Sequence, residues 1–262
     1  MHHHSIEQAH SLGYEIFIVV TLLIAVTLYI GAGVYSSTYK PLRKWPLHRH
    51  FCFALAMLCI GLPLIGPLAR QAHTHFTAHM LAHLLLGMLS PLLITLAAPI
   101  TLLLRTIHVT KARRLVVILH SWPFRIVSHP IVASSLNIGG LWLLYRTHLY
   151  EMMQSSSILQ WVVHLHIFLA GYVFTTSMIS VDPTPHRYSF RYRVVVFLLY
   201  LAAHGILAKY IYISPPLGVD EMQAKLGGLI MYYGGDVIDV LLIFIFCLQW
   251  HRTTRPASSS WA

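Results

Sequence analysis

The sequence predicts an all-α fold: a polytopic membrane bundle of seven transmembrane helices, with the N-terminus outside and the C-terminus cytoplasmic. Three observations predict it. Of 262 residues, 56% are hydrophobic and only 10% charged, with a mean hydropathy of +0.65, a balance that belongs to an integral membrane protein. Apolar runs near the ~20 residues that cross ~30 Å of hydrocarbon recur along the chain. Finally, the basic residues are sorted by loop. Lys40, Arg43, Lys44, Arg49, then Arg105, Lys111, Arg113, Arg114, Arg125, then Arg187, Arg191, Arg193, and last Arg252 and Arg255 fall on one side, leaving Arg70, Arg146, Lys209 and Lys225 on the other. The positive-inside rule makes the first side cytoplasmic. The net charge of +10 is therefore a topological signal and not a nucleic-acid surface; the partner it implies is membrane lipid.

The elements follow in order. Residues 1–13 form an outer tail whose His2 to His4 are a short His-rich tract or the remnant of an expression tag. The first span, 14–35, has no basic region before it and no cleavage pattern after it, so it is a retained helix and not a signal peptide. The second is 50–69. The third, 76–104, is too long for one straight crossing and carries Pro91 and Pro99, so it kinks, or ends early and continues along the surface. Residues 107–124 set Lys111, Arg113 and Arg114 beside Leu115 to Leu119, the pattern of an amphipathic helix on the cytoplasmic face over anionic lipid. Spans 130–148, 158–181, 193–213 and 229–250 complete one transmembrane domain, 14–250. The outer connection 214–225 holds Pro215 and Pro216. On the cytoplasmic side, Asp182-Pro183-Thr184-Pro185-His186-Arg187 reads as a compact turn, with Asp182 capping it or pairing with a nearby arginine. The tail 251–262 is Ser-rich and expected to be disordered. Cys52, Cys59 and Cys247 lack Cys-x-x-Cys spacing and read as small buried hydrophobes.

Five ionisable residues on four spans fall at one depth. His79 and His83, spaced i, i+4, share a helical face within reach of one ion. Counting ~1.5 Å per residue puts them roughly 5 and 10 Å below the outer boundary, His164 about 9 Å, His204 roughly 13 Å and Asp236 roughly 10 Å. Asp239 lies deeper and can share the Asp236 face. Ionisable groups at such depth face a bundle interior and need partners. Each histidine alone can serve as a hydrogen bond between helices; four helices converging favour a metal centre made of His79, His83, His164, His204 and Asp236. Neutral imidazoles with a carboxylate suit copper, zinc or iron, and Met80, Met88 and Met231 are either thioether donors or packing. Asp236 would ligate directly or fix a histidine tautomer. His166, two residues from His164, points to a nearly opposite face. His10, His73, His75 and His148 lie in outer flanks, as solvated histidines or as an entry path for a soft cation.

The stretch His79-Met-Leu-Ala-His83, with Ser90-Pro91 and Ala98-Pro99-Ile100-Thr101, resembles the CtaG family of bacterial cytochrome c oxidase assembly factors. So do His129-Pro130, His164-Leu-His166 with Gly171-Tyr172-Val-Phe174, Asp182-Pro183-Thr-Pro185, His204, and Gly227-Gly228 through Met231 to Gly235-Asp236. The likeness covers roughly residues 45–250. It implies a multi-pass protein of the bacterial inner membrane that takes part in respiratory-chain biogenesis, with haem-copper oxidase subunits as partners, and that helps insert copper without itself being an enzyme. The single-span copper chaperones that share the family's name are unrelated in architecture, and this chain has no cysteine pair of their kind. From the residues alone, two alternatives stay open. One is an intramembrane zinc-dependent hydrolase with histidine ligands and a carboxylate base. The other is a bis-histidine haem cytochrome, for example through His83 and His204. A retinal protein is excluded, because span seven contains no lysine for a Schiff base.

Overall fold

The computed structural model describes residues 2–39, 43–183 and 188–254, with side chains from residue 12 onward. Every element is helical, with no strand among the described residues. Helix α1 (His2–Thr38) already begins in the segment expected as a tail. Its apolar part, Leu12–Thr38, is mostly exposed on the flank of the bundle, where Leu22, Ala25 and Val26 pack on α2 (Leu47–Leu64) around Ala56 and Met57. Tyr29 stacks on Phe53 at 4.0 Å between ring centroids. Helix α2 stops short of the 50–69 span. Ile65 is extended, Gly66 takes φ 77°, and Pro67 opens the short helix α3 (Gly66–Ala72). A left-handed glycine followed by a residue without an amide hydrogen is a helix stop.

The third span is the axis of the bundle, with 78% of its most apolar stretch buried against 39% or less for the others. It begins as α4 (Phe76–Leu84), widens into a π-turn at Leu85–Leu89, continues as α5 (Ser90–Ala97), breaks at Ala98, and resumes as α6 (Pro99–Thr106). Both prolines leave their mark. The π-turn directly precedes Pro91, whose ring cannot fit a regular preceding turn. Before Pro99 the chain takes the left-handed conformation at Ala98, φ 54°. Two hydroxyls support the irregular stretch, Ser90 donating to the Leu86 carbonyl at 3.0 Å and Thr95 to the Pro91 carbonyl at 2.8 Å.

The amphipathic segment is two helices, α7 (Val109–Leu119) and α8 (Trp122–Val127), neither with a buried residue. Next come α9 (Pro130–Arg146), α10 (Leu149–Ser155), α11 (Ser157–Met178) and α12 (Phe190–Ile213). The last span is α13 (Glu221–Leu229), a second π-turn at Ile230–Gly234, and α14 (Gly235–Thr254). The expected disordered tail beyond Thr254 and residues Thr184 to Arg187 of the proline-rich turn lie outside the described residues. Among the described residues, six helices are long and apolar enough to cross a membrane, making this a multi-pass membrane bundle. Helix α9, with 17 residues, is about 25 Å long and packs against both α11 and α12.

The core has two levels along the axis. Phe76, Met80, Leu141, Tyr145, Leu207 and Met231 fill one, and Met88, Leu92, Phe174, Phe197, Leu242 and Phe246 the other. Three basic connections meet at the second end. Arg105 donates to the Arg43 carbonyl at 2.6 Å, Arg49 and Arg105 flank the Trp45 ring at 4.5 and 5.0 Å, and His129 packs edge-on against Tyr188 at 4.8 Å. The sequence assigns Asp182 to capping its own turn or pairing with a nearby arginine, and Arg49 is within electrostatic range of it. The Asp182 carboxylate reaches across to α6, accepting from the Ile100 amide at 3.2 Å and the Thr101 amide at 2.8 Å. At the opposite end, Arg70 pairs with Glu15 at 2.9 Å and His148 with Glu151 at 3.2 Å.

Candidate functional site

The histidine pair sits where α4 is most regular, before the first π-turn, so its i, i+4 spacing places both rings inward. His79, His83 and His204 are all buried. His79 lies in an aromatic box. Its Nε2 is 3.1 Å from the Tyr145 hydroxyl, and its ring lies 5.0 Å from Tyr150 and 6.0 Å from Phe76. Because Tyr145 is itself buried on α9, this contact fixes the ring without water. One turn deeper, His83 packs along Gly87, where a Cβ would stand 3.3 Å from its Cε1. Neither ring nitrogen of His83 has a hydrogen-bond partner among the described residues, and neither does Nε2 of His204. A ring facing the other way, His204 lies against Gly235 and stacks at 6.1 Å on Tyr200.

The rings are neighbours at electrostatic range: His83 has His204 and His164 within it, and His79 has His164, His83 and His73. His164 is half-buried on α11 and opens onto a cleft of about 330 Å³ that also contains His73, Gln160, Ser157, Trp161 and Tyr14. At its mouth the Gln160 amide nitrogen lies 3.2 Å from Nε2 of His73. The cleft thus leads from an exposed histidine past a half-buried one toward the buried pair. His166 is exposed, with Nε2 3.2 Å from the Leu136 carbonyl oxygen, away from this group.

The carboxylate falls differently. Asp236 is exposed, and the buried acid of the last span is Asp239. Both acids follow the π-turn at Ile230–Gly234 in the regular helix α14, three residues apart, so counting depth by the rise per residue does not say which of the two turns inward. As the side chains stand, no group of three or more His, Cys, Asp or Glu among the described residues is close enough to hold an ion. The donors converge without forming a finished cage. Tyr145 and Tyr150, which shape the box around His79, went unnoticed in the sequence because tyrosine near a span end reads as an interfacial anchor. Asn137, a buried amide inside an apolar span, carried a signal that intramembrane polarity alone makes visible.

An all-α multi-pass bundle with unsatisfied imidazoles at its centre defines a class of membrane protein built around a buried polar site. The family profile of the cytochrome c oxidase caa3 assembly factors (Caa3_CtaG) matches residues 27–253. The chain belongs to that family. It is also similar to the uncharacterised proteins Mb0105 of Mycobacterium bovis and MT0111 of Mycobacterium tuberculosis, each 25% identical over 259 residues, and ML1998 of Mycobacterium leprae, 22% identical over 256. These alignments cover 88–89% of this chain but 39% of each relative, so the chain spans about two fifths of their length. No solved structure matches it.

Proposed function

We propose that this chain is an assembly factor for a haem-copper oxidase of the bacterial inner membrane, and that it receives copper as cargo on its central histidines. The observation that carries the reading is the set of three unpartnered ring nitrogens, two on His83 and one on His204, buried within electrostatic reach of each other and of His164. A buried polar atom left unpaired costs about 1–3 kcal/mol, and ligation removes that cost. Neutral imidazole is a good donor for copper, and His79, held by Tyr145, completes a row of candidate ligands with His164 toward the cleft. Asp236, on the exposed face, is not among the candidate ligands.

Seven spans with the N-terminus outside fit this role, α9 being the short fourth crossing. The basic loops at the Trp45 end then face the cytoplasm, and the His73 cleft opens to the outer side, where a periplasm-facing copper centre would be loaded. The test is metal analysis of purified protein after copper loading, comparing the wild type with His83→Ala, His204→Ala and the exposed control His166→Ala. The first two variants lose bound copper and the control keeps it. Equal copper in all four would sink the site. A Soret band or zinc retained in place of copper would favour the haem or hydrolase alternative.

A further inference from the structure

Below the histidines the bundle encloses a second, chemically different space. It holds about 10 Å³, lined on its polar side by Asn137 of α9, Thr175 of α11, Tyr200 of α12 and Asp239 of α14, with Gly87 of the first π-turn completing the wall. These four side chains keep only 8%, 4%, 3% and 5% of their surface. Among the described residues no side-chain hydrogen bond joins any of the four to a neighbour, and all four line the same space. In a membrane core a polar group left unpaired is unfavourable, so four of them on one space call for an occupant. No lysine or arginine forms an ion pair with Asp239 among the described residues, and Asp236 adds a second negative charge nearby.

We propose that this cavity is a binding site for one small, dehydrated alkali cation of sodium size, held by Asp239 with Asn137, Thr175 and Tyr200. The donor set decides the class: a carboxylate, an amide oxygen, a hydroxyl and a phenol are all hard oxygen donors, and they outnumber the single thioether of Met88 in a lining without imidazole. Size and charge decide within the class. A space near the lower limit for one water admits no hydrated magnesium, and a lining with one carboxylate leaves the second charge of calcium unbalanced. A monovalent ion balances Asp239 alone. Tyr200 separates this space from the copper centre, lining the cavity while stacking on His204. The site is independent of the copper reading.

The experiment measures thermal unfolding of the full-length protein in detergent across a sodium chloride titration, with choline chloride holding ionic strength constant. A ligand that binds only the folded state raises Tm with saturation. Sodium is expected to raise the wild-type Tm by roughly 2–4 °C at saturation, with Asp239→Asn losing at least tenfold in apparent sodium affinity and Thr175→Val losing part of it. Both variants retain wild-type copper stoichiometry, which separates this site from the histidines. Should Asp239→Asn fail to fold, binding of radioactive sodium to the wild type in competition with unlabelled sodium reads the same site directly. Identical Tm in sodium and choline without saturable sodium binding, or a full sodium response in Asp239→Asn, would overturn the proposal and leave a protonated Asp239 beside a single trapped water.

Discussion

The meeting of α11 with the first π-turn depends on a missing methyl group. A Cβ built on Gly171 lands on the Gly87 carbonyl oxygen and stands 3.1 Å from Pro91 Cγ. That oxygen belongs to the main chain of a π-turn pinned by Pro91, so no side-chain rotation relieves the overlap. To reach ordinary van der Waals separation α11 must retreat by on the order of 1 Å. Overpacking of this kind costs about 1–3 kcal/mol, offset by at most the ~1 kcal/mol that alanine gains over glycine in a helix. Gly171→Ala should therefore lose about 1–2 kcal/mol, or roughly 2–8 °C in Tm for a chain of this size. Gly139→Ala is the matched control, because a Cβ there meets nothing within 4 Å; it should be neutral or slightly stabilising. Thermal unfolding of both variants in the same detergent is the assay. The displacement also moves His164 on α11 relative to His83, one turn before the π-turn, so copper affinity should fall in Gly171→Ala alone. Equal Tm values for the two variants would refute the argument.

Three further outcomes can be checked in the same preparation. Tyr145→Phe removes the 3.1 Å partner of His79 Nε2 and should lower stability by about 1–3 kcal/mol in thermal unfolding, with a change under about 0.5 kcal/mol counting against a fixed ring. Tyr29→Phe breaks a relay in which Trp45 Nε1 donates to the Tyr29 hydroxyl at 3.2 Å and that hydroxyl donates to the Ala97 carbonyl at 2.6 Å. A comparable loss is expected, because the Ala97 carbonyl lies next to the left-handed Ala98. For Asp182, burial pushes the carboxyl above its ordinary 3.8, against the opposing pull of the hydrogen bonds from Thr101 and Ile100. A raised folded-state value means the group's contribution is full below 3.8 and is lost as pH rises through the elevated value. The stability difference between wild type and Asp182→Asn should therefore shrink from acid toward neutral pH, and a difference that grows with pH would contradict it.

Much of the architecture was written in composition and loop charge. The all-α membrane class follows from apolar runs that no soluble core requires, and the breaks in the third span follow from Pro91 and Pro99. Other features depend on contacts no local pattern carries. Asp182 reads from sequence as the cap of its own turn or the partner of an arginine, yet it caps α6 from 81 residues away, a pairing set by how α5, α6 and α11 pack. Gly66 ended the second span early because its φ of 77° starts a new helix direction, whereas the apolar residues beyond it read as one continuous crossing.

The histidines were legible because they precede the irregular turns. His79 and His83 lie in regular helix, and His164 and His166 in α11, so counting by 3.6 separates inward from outward rings. Asp236 and Asp239 lie three residues apart on the same regular helix, so depth alone names the acid nearer the histidines and does not tell that Asp239 is the buried one. The burial of Asp239 divides the chemistry of the bundle. With Asp236 exposed, the upper level holds imidazole nitrogens free of a carboxylate. Asp239 instead joins oxygen donors one level down, beyond Tyr200. A carboxylate among the imidazoles would raise affinity for a cation and retain it; under the proposed copper-loading role, a set of neutral imidazoles would release its cargo more readily.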